Sequence, residues 1–231
     1  MNPTTVIPTD LVTPLGAYLR LRSQGQGAFL LESVEQGRLG RYSFVGCGSR
    51  LVDLAEAERS GEPVVGFLGY DYVAKLEPSV PLPREGPPFP ESLFVVAETL
   101  VRFDHAHGFA DVLRGDASEL AALLKGPPEL PPPAGPGPSG QTRRFPSRHE
   151  YERAVIKAKE YIRAGDAYQI VLSQRALRPT SATAIAIYRA LRRINPSPYN
   201  FLLELADLAL VGSSPETLVK LEGRRASLNP I

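Results

Sequence analysis

The sequence predicts an α+β fold: mostly antiparallel sheets with packed helices, in two lobes, the second incomplete at its C-terminus. Three observations point there. Short apolar segments follow one another across turn-length connections instead of alternating with helices, which favours antiparallel sheet. Residues 127–140 are almost entirely proline, glycine and small polar residues, a composition that prefers extended, solvated backbone and cannot build a core. Strand-like segments run up to Ser227-Leu228-Asn229-Pro230-Ile231, with no polar tail behind them.

The elements follow in order. Thr13-Pro14 is an N-cap and first-turn pair for a helix carrying Leu15, Tyr18 and Leu19 on one face. Strands are expected over residues 28–31, 42–45, 64–68, 93–96 and 100–103, and residues 109–113 form the return arm of a hairpin near His107-Gly108. Residues 116–124 read as a short helix ended by Gly126. These give a first lobe over 1–125, a linker over 126–146 and a second lobe over 147–231. In the second lobe, Ser147-Arg148-His149-Glu150 is a capping box. Tyr151, Ala154, Val155, Ala158, Tyr161 and Ile162 then recur at helical spacing until Gly165. Residues 168–172 read as a strand. A helix over about 182–194 must stop before Pro196. A meander over 200–205, 208–211, 218–221 and 226–228 follows, with a tight turn at Glu222-Gly223.

Composition excludes several classes. The 231 residues suit one large or two modest domains, and 43% apolar with 22% charged residues is ordinary for a globular chain. A net charge of +1 favours neither nucleic acid nor an anionic membrane as partner. Arg20, Arg22, Arg192 and Arg193 are expected on solvated helix faces. No apolar run approaches ~18 residues, so no membrane span is readable. Residues 1–5 show no basic segment leading into an apolar one, so no signal peptide is expected. The single cysteine, Cys47, fits a reducing cytoplasm and reads as a small buried residue between Gly46 and Gly48. Phosphate-loop, dinucleotide, zinc and nucleophile-elbow signatures are missing. His105 and His107 border a turn without a third metal ligand.

An ordered series of motifs spans residues 10–231. The series is Phe29-Leu30-Leu31-Glu32-Ser33, residues 40–46 (Gly-Arg-Tyr-Ser-Phe-Val-Gly), residues 66–71 (Gly-Phe-Leu-Gly-Tyr-Asp) and Phe103-Asp104-His105. It continues with residues 165–175, Asn195-Pro196-Ser197-Pro198-Tyr199 and Gly212-Ser213-Ser214-Pro215-Glu216. Together they resemble the chorismate-using enzymes, and within these the large subunit of anthranilate synthase, in its N-terminal part. The resemblance implies amination of chorismate with ammonia from a glutamine amidotransferase subunit, followed by elimination of pyruvate. It also implies Mg²⁺ on the substrate carboxylate, with ligands beyond Ile231, and a chain inactive alone.

Gln169 carries the chemical part of the resemblance. Related enzymes that add water to chorismate place lysine there, which serves as a base. A glutamine amide can only orient a substrate or ammonia. Ammonia already has a nucleophilic lone pair, so Gln169 favours the amine-adding branch. By periodicity alone Gln169 reads as an outward polar residue of a strand. Within the amine-adding branch, aminodeoxychorismate synthase is the alternative to anthranilate synthase. A non-catalytic fragment that senses tryptophan is the third reading.

The resemblance also implies an L-tryptophan effector site at Leu31, Glu32, Ser33, Pro198, Tyr199 and Asn200. Glu32 would meet the ammonium, Ser33 and nearby backbone the carboxylate, and Pro198, Tyr199 and residue 200 the indole. This requires residues 28–33 to lie beside the loop after the second-lobe helix, across the proline-rich stretch. Tryptophan-regulated members usually carry methionine where this chain has Asn200. An amide against an indole is expected to weaken or redirect binding. The stretch between Arg50 and Pro63 is also shorter than in those members.

Overall fold

The structure is a computed structural model, and it describes residues 6–33, 40–82, 89–128, 130–131 and 140–228. The chain is α+β with antiparallel sheets. It divides into two compact units, one of Met1–Pro131 with Ala184–Ile231 and the other of Pro132–Thr183. The boundaries expected at 126 and 146 follow a different line. Residues from 184 onward rejoin the first lobe because their strands complete its sheet. Pro230-Ile231 and most of the proline-rich stretch lie outside the described residues.

The larger unit is built on seven strands: β1 (Val6–Pro8), β2 (Gly27–Glu32), β3 (Tyr42–Gly48), β7 (Thr99–Asp104), β8 (Phe109–Arg114), β11 (Tyr199–Leu205) and β12 (Leu208–Ser214). Their order is β1-β8-β7-β3-β2-β11-β12, all antiparallel. A second sheet, β4 (Leu51–Val52), β6 (Ser92–Val96) and β5 (Val64–Leu68), has the order β4-β6-β5. A separate pair joins β13 (Lys220–Glu222) to β14 (Arg225–Ser227), turning at Gly223, whose φ is 60°.

Alternation sends each strand's side chains to two faces, and both are covered. One face carries Ala28, Leu30, Val45, Cys47, Val101, Phe103, Ala110 and Leu202. It packs on α1 (Pro14–Leu21), α4 (Ala117–Lys125) and α6 (Ala184–Ile194) through Tyr18, Leu21, Leu120, Leu124, Ile185 and Tyr188. The other face carries Phe29, Leu31, Phe44, Leu203 and Leu205 against Val65, Phe67, Leu93 and Val95 of the second sheet. Two glycines sit opposite rings across strand pairs: Gly46 faces Phe29, and Gly212 faces Phe201. A β-carbon at Gly46 would stand 2.4 Å from the Phe29 ring, so the ring occupies the space a side chain would need.

Local chemistry explains the helix ends. Thr13 caps α1, its hydroxyl accepting from Gly16 N at 3.0 Å. Asp116 caps α4 through Ser118 N and Glu119 N. Asp53 caps a helix the sequence did not announce, α2 (Leu54–Ser60). A short turn of helix, α3 (Val73–Leu76), follows β5. Two arginines expected on solvated faces are tied down: Arg20 Nε donates to Gly126 O at 2.7 Å, and Arg22 Nε lies 3.4 Å from Glu204.

In the smaller unit, the capping box holds the start of α5 (Arg148–Ala164), and Gly165 ends it at a φ of 84°. β9 (Arg143–Phe145) pairs with β10 (Arg175–Leu177), and Arg143 and Arg175 both lie over the Phe145 ring. Residues 168–172 are not a strand: they run without regular structure, and Tyr168 and Val171 are 94% and 84% exposed. An isolated apolar alternation has nowhere to send its backbone hydrogen bonds, and among the described residues no strand pairs with this segment to take them.

Candidate functional site

The register between β2 and β11 builds the site. Asn200 stands directly opposite Glu32, and Ser213 of β12 stands opposite Asn200. Paired residues of an antiparallel ladder share a face, so Glu32 and Asn200 point together toward the helix side. The expected meeting of residues 28–33 with the loop after the helix is therefore present, made by strand pairing across the whole larger unit.

Glu32 is 3% exposed and is met by two side chains of α6. Tyr188 Oη donates to Oε2 at 2.6 Å, Arg192 Nη2 donates to Oε1 at 2.8 Å, and Arg192 Nε lies 2.7 Å from Oε2. The carboxylate's charge is thus answered within the fold. Burial and the adjacent carboxylate push the Tyr188 phenol far above its ordinary range, so it stays a donor. Arg192, expected in solvent, anchors this node with a side chain 39% exposed. Tyr188 and Arg192 were missed as site residues. Their signal was spacing: Ile185, Tyr188 and Arg192 share one helical face.

Asn200 is 1% exposed. Its Nδ2 donates to Ser197 O at 2.9 Å, and its Oδ1 has no hydrogen-bond partner. Ser197 and Pro198 are buried, and Ser197 Oγ donates to Ser214 O, which fixes the loop against β12. Ser33 N donates to Ser43 Oγ at 3.3 Å, and Ser43 Oγ is 2.7 Å from His105 Nε2. Leu31 and Tyr199 face away from this group. Leu31 packs toward the second sheet, and Tyr199 pairs its hydroxyl with Thr217 Oγ1.

Beside it, Asp104 takes Arg41 and His107. Arg41 Nη2 donates at 2.8 Å and His107 Nδ1 lies at 3.0 Å, and the Arg41 hydrogen bonds above all hold the carboxyl far below the usual range. His105 and His107 thus serve hydrogen bonds to Ser43 and Asp104. Among the described residues no group of three or more His, Cys, Asp or Glu is placed to hold a metal. Gln169 is exposed in the irregular segment after α5, within the smaller unit. No helix among the described residues is long and apolar enough to cross a membrane.

Comparison with known proteins fits these features. Anthranilate synthase component 1 of Thermus thermophilus is 36% identical over 96% of this chain and 57% of its own length. The probable anthranilate synthase component 1 of Schizosaccharomyces pombe is 34% identical over 98% of this chain and 55% of its own length. The chain therefore spans somewhat more than half the length of these curated relatives. Anthranilate synthase component I of Streptococcus pneumoniae shares the fold, with a TM-score of 0.60 at 22% identity, over 96% of this chain and 60% of that one. The menaquinone-specific isochorismate synthase of Escherichia coli does so with a TM-score of 0.56 at 20% identity, over 94% of this chain and 51% of that one. Residues 21–231 match the family model described as chorismate binding enzyme, and the chain belongs to that family.

Proposed function

We propose that this chain is part of the large subunit of an anthranilate synthase and carries its L-tryptophan effector site. The observation that carries the proposal is the similarity to curated anthranilate synthase component 1 proteins across 96% of the chain. The whole protein would aminate chorismate and eliminate pyruvate, with ammonia delivered by a glutamine amidotransferase subunit. Mg²⁺ would hold the substrate carboxylate there, on ligands outside those described. Gln169 supports the amine-adding branch, because an amide orients ammonia but cannot serve as base for water. A reducing cytoplasm suits the lone, buried Cys47.

The effector reading rests on Glu32, Ser33, Pro198 and Asn200 converging at one end of the sheet. Leu31 and Tyr199 would contribute from behind, by packing their strands. Such a site regulates by population: a ligand that ties β2, α6 and β11 together favours the arrangement in which they are joined. The alternative is aminodeoxychorismate synthase, favoured by the absence of methionine at Asn200.

Ligand fluorescence tests the proposal cleanly, because the chain contains no tryptophan. L-Tryptophan is expected to bind saturably, with its emission shifted, while 4-aminobenzoate is not. Binding of neither would remove the effector site. Binding of 4-aminobenzoate alone would move the chain to the alternative branch.

A further inference from the structure

Glu204, near the other end of β11, repeats the setting of Glu32 but leaves it open. Glu32 is met by Tyr188 and Arg192 of α6, and Glu204 is met by Tyr18 of α1 and by Arg22, which directly follows that helix. Tyr18 is fully buried, and burial and the Glu204 carboxylate push its phenol far above the ordinary range, so it stays a donor. There the likeness stops. Glu32 is 3% exposed and has both oxygens engaged. On Glu204, Tyr18 Oη and Arg22 Nε both go to Oε2, and among the described residues nothing donates to Oε1. The side chains of Arg22 and Glu204 remain 32% and 26% exposed, and the terminal nitrogens of Arg22 have no acceptor among the described residues.

Arg22 and Glu204 line a pocket of about 200 Å³. Gly25 and Gly27 give it bare backbone wall: β-carbons there would stand 2.4 Å from Gly48 O and 2.8 Å from Val95 Cβ. Ala206, also on the wall, has a φ of 50°, the one left-handed non-glycine backbone among the described residues, and its N–H donates to Gln26 O at 2.9 Å. A residue held in that region is fixed by its surroundings, and such residues cluster at ligand sites. No apolar side chain on the walls is larger than alanine. The charges decide the ligand class. A lone anion drawn to Arg22 would meet Glu204, and a lone cation drawn to Glu204 would meet Arg22, so a single charge gains little. A molecule with both charges, spaced like Arg22 Nε and Glu204 Oε2 at 3.4 Å, meets an opposite charge at each end. We propose that this pocket binds a compact zwitterion, the head group of an α-amino acid with a short or polar side chain. The terminal nitrogens of Arg22 take the carboxylate in a planar fork, and Glu204 Oε1 takes the ammonium. Tyr18 holds the Glu204 carboxylate from the buried side. This pocket is separate from the effector site proposed above and does not depend on it.

Glycine is that head group alone, and two blocked forms isolate its charges. Glycine methyl ester lacks the carboxylate, and N-acetylglycine lacks the ammonium. Each is titrated into the wild-type chain while NMR follows the backbone amides of Gly25, Gln26, Gly27 and Ala206. Glycine is expected to move these signals saturably at about millimolar concentration, the scale open to a ligand this small. Each blocked form should bind at least about tenfold more weakly, the value of one charge-assisted hydrogen bond. Arg22→Gln keeps an amide donor without the charge and should weaken glycine by a similar factor. The blocked forms are read on the wild type, so a variant that fails to fold leaves the test intact. L-Leucine should bind no more tightly than glycine, and tighter binding would overturn the ligand class. Equal movement with glycine and both blocked forms, or no movement with glycine at ~100 mM, overturns the proposal. Movement of the Ser33 and Asn200 amides in place of these four also overturns it and assigns the head group to the effector site.

Discussion

Replacing Arg192 with methionine should expose how much of the fold depends on the Glu32 node. The substitution keeps length and apolar bulk but leaves a carboxylate that is 3% exposed with Tyr188 as its one remaining side-chain donor among the described residues. Breaking a fully buried pair from one side costs about 3–5 kcal/mol. Here the guanidinium side chain is 39% exposed, so water already screens part of the interaction and a loss of ~2–3 kcal/mol is the reasonable figure. In urea, with a slope of ~2 kcal/mol per molar, that moves the unfolding midpoint down by about 1–1.5 M. The second arm is Glu32→Gln with Arg192→Met. Removing both charges removes the penalty, so the pair should be more stable than the sum of the singles by at least ~1 kcal/mol. Circular dichroism under urea gives both numbers. Strict additivity, or a single-mutant loss under ~0.5 kcal/mol, would show that the ion pair contributes nothing and that Glu32 is held by packing alone.

Other outcomes follow from groups away from this node. Arg41 holds the Asp104 carboxyl below its unfolded value, so its contribution is present above pH ~4 and is lost as pH falls below that. The melting-temperature gap between wild type and Asp104→Asn should therefore shrink from pH 5 toward pH ~2, and a pH-independent gap would contradict the pairing. Burial raises the Cys47 thiol above its ordinary range. Cys47 should resist a disulfide reagent at pH 8 in the native chain and react at once in denaturant. Gly46→Ala would set a methyl 2.2 Å from Thr99 O and 2.4 Å from the Phe29 ring, so a loss of ~2 kcal/mol or more is expected on thermal melting. Gly61→Ala meets no neighbour within 4 Å, and its φ of 64° makes it a control for backbone strain alone, costing ~1 kcal/mol.

Capping chemistry made much of the fold readable. Thr13-Pro14 and the Ser147–Glu150 box announced two helices because each satisfies backbone donors with a side chain in sequence reach, and Gly126 marked the end of a third whose cap, Asp116, the structure supplied. Helix α2 escaped because Glu56, Glu58 and Arg59 leave Ala57 as its one buried residue, so no apolar period marks it. Residues 168–172 misled in the opposite way. Tyr168 and Ile170 alternate like a strand, but alternation describes a face, not a partner. The site was half legible. Motifs pointed to Glu32 and Asn200, which do pair. Tyr188 and Arg192 lay hidden because a charged residue near a helix end reads as solvated until the opposing carboxylate is placed. Leu31 and Tyr199 show the converse: nearness in sequence puts adjacent strand residues on opposite faces.

The pairing of β2 with β11 also sets a timetable for synthesis. Glu32 and Tyr188, joined in the finished molecule, are 156 residues apart in the chain. At a translation rate of ~5–20 residues per second, β2 leaves the ribosome about 8–30 s before the helix that neutralises Glu32. During that interval β3 can cover one edge of β2, while the other presents unpaired backbone groups and an unanswered carboxylate. A charge on a waiting edge discourages pairing with a neighbouring nascent chain. Glu32 thus protects the strand while it waits, before it becomes an anchor.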